Sequence, residues 1–255
     1  MAHVSVRNLS FRYPRGARIL ERIELDAASG EVLCLIGPNA AGKSTLLKCM
    51  AGLLRPDTGQ ILLQGHPLPS FRSTQRARRI AYVPQAEAQN FPATVFDTVL
   101  LGRRPHMTWK PGKRDLEVVS GILSRLGLGG LALRETSRLS GGQQQKVSIA
   151  RALAQEPEVL LLDEPTSSLD LKHQLEVMDL VAEQAGRGIV AVAALHDLNL
   201  ALRYSDRVAM LKGGRMHACG GPDIVTAERV AEVYGVRVEL SSAESGSVVV
   251  PTGPA

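Results

Sequence analysis

The chain has 255 residues and a formal net charge of +5 at pH 7, and its 44% hydrophobic content is ordinary for a soluble globular protein. This length suits one large domain with a full core, or one domain with an inserted lobe. Its apolar runs are far shorter than the ~20 residues of a membrane helix, which argues against a membrane-spanning protein. The three cysteines lack metal or redox spacing, so we expect reduced thiols in a cytoplasmic protein.

The first 30 residues alternate apolar and polar positions, as short β-strands do. A proline-containing turn at residues 11–16 carries Tyr13. This ring could stack on a purine base, a contact of roughly 1–3 kcal/mol in base-stacking systems. An edge aromatic beside a turn is an equally good interpretation.

Residues 37–45 read GPNAAGKST between an apolar run and a segment with leucines at helical spacing. This strand, turn and helix predict a loop whose backbone N–H groups surround phosphate oxygens. Lys43 would reach the β- and γ-phosphates, and the Ser44 hydroxyl would bind Mg²⁺. The alternative, a glycine-rich turn with a solvated lysine, does not explain the flanking strand and helix. The loop therefore predicts nucleoside triphosphate binding, with the candidate residues Gly37, Pro38, Asn39, Ala40, Ala41, Gly42, Lys43, Ser44 and Thr45.

Strands are predicted at residues 59–65 and 80–83, and Gln85 follows the second strand where polar loop begins. An amide at this point could bind a metal or water, although a lone glutamine is usually only a loop residue. Residues 86–155 then change in character, with helical apolar spacing on either side of a basic, proline-containing loop. We predict a helical insert in an α/β chain.

Residues 139–143 read LSGGQ and open a predicted helix. Ser140 is a good N-cap residue, and the two glycines that follow leave backbone N–H groups open. This is a second helix N-terminus that can bind an anion, unless it is an ordinary cap. Its role is explained if a second copy of the chain brings this helix N-terminus to the γ-phosphate bound by the first copy.

Two predicted buried strands end in polar side chains. The run at 159–162 ends in Asp163 and Glu164, and the run at 189–195 ends in His196. In parallel sheets, ligands bind at the carboxyl ends of the strands. There Asp163 would hold Mg²⁺, and Glu164 could take a proton from water, a role worth roughly 10²–10⁴-fold in rate. Solvated carboxylates are the alternative interpretation.

Near the C-terminus, strands are predicted at residues 208–211 and 215–218. Residues 1–240 are expected to form a single domain. We expect residues 241–255 to be a flexible tail, because they are rich in serine and glycine, although residues 248–250 could add an edge strand.

Together, Lys43, the LSGGQ segment, Asp163–Glu164 and His196 occur in an order that resembles the ATP-binding subunit of ABC transporters. The resemblance extends from about residue 4 to residue 238. It implies a RecA-like P-loop NTPase core, an antiparallel β subdomain and an inserted α-helical subdomain at about residues 86–155.

The resemblance implies a role at each matching position around the nucleotide. Tyr13 matches the adenine-stacking aromatic, Gln85 the loop glutamine that senses Mg²⁺ and the permease, and Glu164 the catalytic base. His196 matches the residue that switches with the γ-phosphate. One departure is Ala40, where the family more often has glycine; we expect the extra methyl group to cost little. ATP and Mg²⁺ are the implied cofactors; the catalytic candidates are Lys43, Gln85, Glu164 and His196, and the metal candidates are Ser44, Gln85 and Asp163.

The resemblance also implies a head-to-tail dimer. In the family, each ATP lies between the phosphate loop of one copy and the LSGGQ helix of the other. Asp170 matches the end of the turn through which the copies touch, and we include it among the nucleotide-binding candidates. The residues expected to reach ATP in the other copy are Ser140, Gly141, Gly142 and Gln143.

Four further segments look like those of importers of ferric siderophores, heme and cobalamin: residues 98–106, 169–174, 195–204 and 233–236. They touch no transported substrate, so they indicate a subfamily, with ferric siderophore as the first choice of cargo, then heme, then cobalamin. This implies an ATPase on the cytoplasmic face of the cell membrane that powers uptake through a polytopic permease, with a substrate-binding protein as an indirect partner and no nucleic acid. The alternatives are a soluble ABC ATPase of DNA repair or translation, and the ATPase subunit of an exporter.

Overall fold

The structure is a computed structural model that describes residues 3–14, 16–85, 93–243 and 246–255. Within these residues the strands, in chain order, are β1 (His3–Arg12), β2 (Arg18–Ala28), β3 (Val32–Ile36), β4 (Thr58–Leu63), β5 (His66–Pro67), β6 (Ile80–Val83), β7 (Val159–Asp163), β8 (Val190–Ala194), β9 (Arg207–Lys212), β10 (Arg215–Gly220), β11 (Val236–Ala243) and β12 (Gly246–Pro254). The α-helices are α1 (Lys43–Met50), α2 (Ser73–Arg79), α3 (Val95–Leu100), α4 (Lys113–Arg125), α5 (Gly141–Leu153), α6 (Leu171–Gly186), α7 (Leu198–Tyr204) and α8 (Ala227–Tyr234).

The central sheet has six strands in the order β10-β9-β3-β8-β7-β6. All neighbours pair in parallel except β10, which is antiparallel to β9. Every residue of β3, β7 and β8 is buried, because both faces of the sheet are covered. The continuous apolar runs in the sequence therefore did mark central parallel strands, and the carboxyl ends of these strands meet at one edge.

A smaller antiparallel sheet with the order β2-β1-β4-β5 lies against one face of the central sheet. Successive side chains of a strand point to opposite faces. Leu33 and Leu35 of β3 accordingly join the core shared with the antiparallel sheet, whereas Cys34 and Ile36 join the core on the other face. The predicted α/β architecture with an antiparallel β subdomain is confirmed.

Helices are present on both sides of the basic, proline-containing loop, as predicted. The first is α3, which begins directly after Thr94. The Thr94 side chain caps this helix by accepting a hydrogen bond from the backbone N–H of Asp97. The second is α4. The predicted start of the helical insert, residues 86–92, lies outside the described residues, so its boundary stays a prediction. No helix of the described part of the chain is both long and apolar enough to cross a membrane.

The expectation of a flexible tail after residue 240 is wrong. Strands β11 and β12 pair as an antiparallel hairpin, with Val249 opposite Leu240. The hairpin is held to α7 by the Asn199 amide, whose Oδ1 accepts from the Val249 backbone N–H at 2.8 Å and whose Nδ2 donates to the Val249 carbonyl at 3.3 Å. The alternative of a strand at residues 248–250 is confirmed, because burial of Val249 on the core outweighs the polar composition around it.

Candidate functional site

A cleft of about 480 Å³ lies at the carboxyl edge of the central sheet. Its walls come from the segments that follow β3, β6, β7 and β8, together with Tyr13 and Ile19 of the antiparallel subdomain. Apart from Ile19, each of these residues was a candidate from the sequence. The described residues that line the cleft are Tyr13, Ile19, Asn39, Ala40, Ala41, Gly42, Lys43, Ser44, Thr45, Gln85, Glu164 and His196.

The loop between β3 and α1 depends on two glycines. Gly37 has a φ of 149°, and a Cβ there would lie 2.2 Å from the Leu211 carbonyl oxygen. Gly42 has a φ of 101°, and a Cβ there would lie 2.7 Å from a methyl group of Leu20. A side chain at either position would therefore push the loop away from the sheet. Ala40, with a φ of 61°, is also left-handed, which gives a physical reason for the glycine more often found there in similar proteins.

Lys43 is the first residue of α1 and is only 4% exposed. Its ammonium donates to the carbonyls of Gly37 at 2.7 Å and Pro38 at 3.2 Å. Burial lowers the pKa of Lys43 from its usual value, and the nearby carboxylates of Glu164 and Asp163 oppose that shift. A buried cation held by neutral carbonyls gains strongly from a charged partner, so this position favours phosphate oxygens.

Asp163 ends β7 and is buried, and it does not itself line the cleft but contacts Ser44, which does. Its Oδ1 accepts from the Ser44 hydroxyl at 2.7 Å, and its Oδ2 accepts from the Tyr82 hydroxyl at 2.9 Å. A hydroxyl and a carboxylate side by side are hard oxygen donors that suit Mg²⁺, which commonly takes its other ligands from phosphates and water. Among the described residues, no group of three or more acidic, His or Cys side chains is arranged to hold a metal ion.

Glu164 follows directly and has a φ of 51°, a left-handed conformation that glutamate rarely adopts. Both of its carboxylate oxygens are engaged, one by the Gln85 amide and the other by Nε2 of His196. Strained backbone of this kind tends to occur at functional sites. Three candidates that are far apart in the sequence thus meet at one point of the cleft.

Tyr13 lies at the open end of the cleft. Its ring packs edge-on against Phe11 with 4.9 Å between ring centroids, and the residue is 39% exposed. A flat aromatic fixed from one side and open on the other can stack on a base. Tyr13 is thus an edge aromatic that also lines the cleft, and its stacking on a base stays a prediction.

The LSGGQ helix does not contribute to this cleft. Ser140 caps α5 by accepting from the Gln143 backbone N–H at 3.4 Å, and Gln143 Oε1 accepts from the Ser140 N–H at 3.1 Å. Ser140 and Gly141 are exposed. Among the described residues that line the cleft, none comes from 140–143, and Asp170 is absent as well. Instead Asp170 caps α6 and accepts from the His173 N–H at 2.9 Å.

The sequence profile of the ABC transporter family matches residues 20–167, more than half of the chain. The chain belongs to this family. It is accordingly an ABC ATPase, with the P-loop NTPase fold that the phosphate loop predicted.

Relatives match this ABC ATPase over nearly its whole length. An uncharacterized ABC transporter ATP-binding protein of Methanocaldococcus jannaschii is 45% identical over 98% of each chain. A hemin import ATP-binding protein of Myxococcus xanthus is 42% identical over 99% of this chain and 98% of that protein. A cobalamin import ATP-binding protein of Halobacterium salinarum is 39% identical over 93% of this chain and 60% of that protein.

Solved structures agree with the fold. A protein assigned to the metal-chelate type of ABC transporter, in an inward-facing conformation, superposes with a TM-score of 0.86 at 30% identity over 100% of this chain and 98% of that one. An ATP-binding cassette in a dimeric post-hydrolysis state with ADP and phosphate gives 0.76 at 28% identity over 86% and 98%.

Two residues of the site escaped sequence reasoning, namely Ile19 and Tyr82. Ile19 occupies an ordinary position in an alternating strand, so no sequence signal pointed to it. For Tyr82 a sequence signal did exist, because it is a polar aromatic near the carboxyl end of a strand, three residues before Gln85.

Proposed function

We propose that this ABC ATPase binds Mg²⁺–ATP in the cleft and hydrolyses it only after a second copy has placed its LSGGQ helix on the γ-phosphate. One observation carries the proposal. The cleft gathers a buried lysine, a hydroxyl–carboxylate pair and Glu164, whereas the exposed N-terminus of α5 in the same chain is not part of it. The N-terminus of α5 can bind an anion but does not line the cleft of its own chain. We therefore propose that it binds the nucleotide held by a second chain.

ATP binding follows from the contacts of the phosphate loop. The Lys43 ammonium would exchange its two backbone carbonyls for β- and γ-phosphate oxygens, and the start of α1 would add its dipole. Mg²⁺ would bind at Ser44 and Asp163, with Gln85 at the edge of the same site. Bound Mg²⁺ supplies neutralisation of the charge that develops on the phosphates during transfer.

Hydrolysis is assigned to Glu164 with His196 and Gln85 as its partners. Glu164 would take a proton from the attacking water. His196 now contacts Glu164, and a γ-phosphate would compete for the same Nε2. The imidazole would then lie between the γ-phosphate and the Glu164 carboxylate. This arrangement would hold the attacking water in line with the γ-phosphate. Loss of the γ-phosphate removes the contact shared by the two copies, and the dimer opens.

We further propose that the dimer powers an importer for a metal chelate. The relatives named for hemin and cobalamin import support this class. We therefore propose heme as the first candidate cargo, before cobalamin and a ferric siderophore. The partners would be a polytopic permease, which this chain would contact at the cytoplasmic face of the membrane, and, through the permease, a substrate-binding protein. Gln85, at the start of the segment that leads to the helical region, would transmit the change at the γ-phosphate.

Glu164→Gln tests the catalytic and dimer assignments together. The amide is nearly isosteric and cannot take a proton, so ATP turnover should fall roughly 10²–10⁴-fold while ATP still binds. Light scattering should show the molar mass double when ATP and Mg²⁺ are added. The matched control is Glu158→Gln, a carboxylate that pairs with Arg79 away from the cleft and should leave turnover unchanged. Wild-type turnover in Glu164→Gln would contradict the assigned role.

The transport class has a separate test. Tagged protein should capture a polytopic permease from detergent-solubilised membranes, and cells without this chain should accumulate less hemin, with cobalamin and a ferric siderophore measured in parallel. Capture of ribosomes or DNA would favour a soluble ABC ATPase instead. Unchanged uptake of all three chelates, with increased retention of another compound, would favour an exporter.

A further inference from the structure

Tyr82 contacts the buried Asp163 carboxylate, and the function proposed above gives it no role. It lies in β6, and its hydroxyl donates to Asp163 Oδ2 at 2.9 Å. The other oxygen, Oδ1, accepts from the Ser44 hydroxyl of α1 at 2.7 Å. Each oxygen of this buried carboxylate therefore has one donor, and the two donors come from different elements of the fold.

We propose that Tyr82 is a positioning residue for the metal, and that its hydroxyl fixes the Asp163 carboxylate so that Oδ1 faces the Mg²⁺ beside Ser44. This inference rests on the proposed binding of Mg²⁺–ATP. The terminal torsion of an aspartate is broad, so a carboxylate bonded at one oxygen can still turn. A second donor on the opposite oxygen removes that freedom. Hydrogen bonds to metal-binding carboxylates commonly set ligand orientation in this way.

A tyrosine suits this task because it donates without bringing a charge. A phenol is protonated at neutral pH, so Tyr82 donates to Asp163 as a neutral group. A lysine or arginine in its place would form an ion pair with Asp163 and would compete with the metal for the negative charge.

A packing role is the alternative, since the Tyr82 ring also lies against the core between the two sheets. Phenylalanine separates the two roles because it keeps the ring and removes only the oxygen. The chain offers a matched control in Tyr204, whose hydroxyl donates to Asp179 Oδ1 at 2.7 Å outside the cleft. Tyr204→Phe removes the same type of hydroxyl–carboxylate bond.

The experiment measures ATP binding in EDTA and then during titration with Mg²⁺, for wild type, Tyr82→Phe and Tyr204→Phe. In EDTA the three proteins should bind ATP within about twofold of one another. The Mg²⁺ concentration that half-saturates the ATP complex should rise about tenfold in Tyr82→Phe, the lower end of losses seen when such supporting hydrogen bonds are removed. Tyr204→Phe should match wild type throughout.

The outcomes separate this inference from the function on which it rests. A wild-type protein whose ATP binding does not respond to Mg²⁺ would overturn the metal assignment itself. A wild-type response that Tyr82→Phe reproduces would overturn the positioning role alone. Equal loss of ATP affinity with and without Mg²⁺ in Tyr82→Phe would also overturn it, because that pattern indicates packing.

Discussion

The cleft and the LSGGQ helix end differ in how their polar groups are held. At the cleft, Lys43, Asp163 and Glu164 are buried or half-buried. Lys43 donates to carbonyls of its own loop, and the two carboxylates accept from residues far away in the sequence. At the start of α5, Ser140 and Gln143 form reciprocal capping bonds, and Ser140 is exposed. The groups of the cleft are held by contacts from several segments of the chain, whereas the side-chain bonds of Ser140 are local capping bonds. Under the proposed function, one chain would carry both parts of a shared site, of which only the cleft is assembled within the chain.

The largest expected effect is the loss of nucleotide binding in the cleft. Lys43→Ala removes a buried ammonium that would bond phosphate oxygens, and charge-assisted hydrogen bonds contribute about 1.5–3 kcal/mol each. We expect ATP affinity to fall about 100-fold or more in a titration with a fluorescent ATP analogue. Lys48→Ala, on the same helix but outside the cleft, should bind ATP normally. Unchanged affinity in Lys43→Ala would rule out the phosphate-loop assignment.

A second variant removes buried hydrogen bonds near the C-terminal end of α5, the helix that begins in the LSGGQ segment. Arg103 is 3% exposed and joins the residues after α3 to the far end of α5. It donates to Asp115 at 2.9 Å, to the Ala154 carbonyl at 2.8 Å and to Glu156 at 2.7 Å. Breaking such a buried network from one side typically costs 3–5 kcal/mol. Arg103→Met should therefore lower the free energy of unfolding by about that amount in urea. The exposed Arg104→Met serves as control, and equal stability of the two variants would show that the network contributes little.

A third variant displaces the helix end and leaves the cleft intact. A Cβ on Gly142 would lie 2.3 Å from a ring carbon of His173, so Gly142→Ala must move the start of α5 or that ring. Small displacements of a site can cost up to about 100-fold in rate, and we expect a 10- to 100-fold lower ATPase rate with ATP affinity of the single chain preserved. Gly121→Ala on α4, with no atom within 4 Å, should keep full activity. Full activity in Gly142→Ala would mean that this helix end has no part in hydrolysis.

The smallest effect concerns the loop backbone. Ala40 adopts a φ of 61°, a left-handed conformation that costs an L-residue roughly 1–2 kcal/mol. Glycine removes this cost, but its greater conformational freedom in the unfolded chain offsets part of the gain in stability. Ala40→Gly should raise the free energy of unfolding by up to about 1 kcal/mol and change ATP affinity less than twofold. Ala41→Gly, at a buried position without positive φ, should lower stability instead. A destabilised Ala40→Gly would show that the methyl group is favourable where it stands.

Strand-end reasoning explains why much of the cleft was predictable. Because parallel strands deliver their carboxyl ends to one edge, the positions of Asp163, Glu164 and His196 after apolar runs were enough to bring them together. The pairing of Gln85 with Glu164 was not predictable, since side-chain contacts depend on how far each loop turns back over the sheet. Tyr82 was missed for the same reason: its partner lies in the neighbouring strand.

The C-terminal hairpin marks another limit of sequence reasoning. Serine- and glycine-rich composition favours disorder when a segment has nothing to pack against. Here α7 offers the Asn199 amide to Val249, a contact between residues 50 positions apart. Composition carries no information about such a distant partner, whereas the run of three valines at residues 248–250 did indicate a strand.

The most direct test of the shared site is a crystal structure of the Glu164→Gln variant with ATP and Mg²⁺. The account predicts a head-to-tail dimer in which the γ-phosphate lies within hydrogen-bond reach, about 3 Å, of Lys43 from one copy and of Ser140 from the other. A structure that holds ATP at Lys43 with Ser140 far from every phosphate would contradict it, and would leave a nucleotide-binding protein whose LSGGQ helix serves some other purpose.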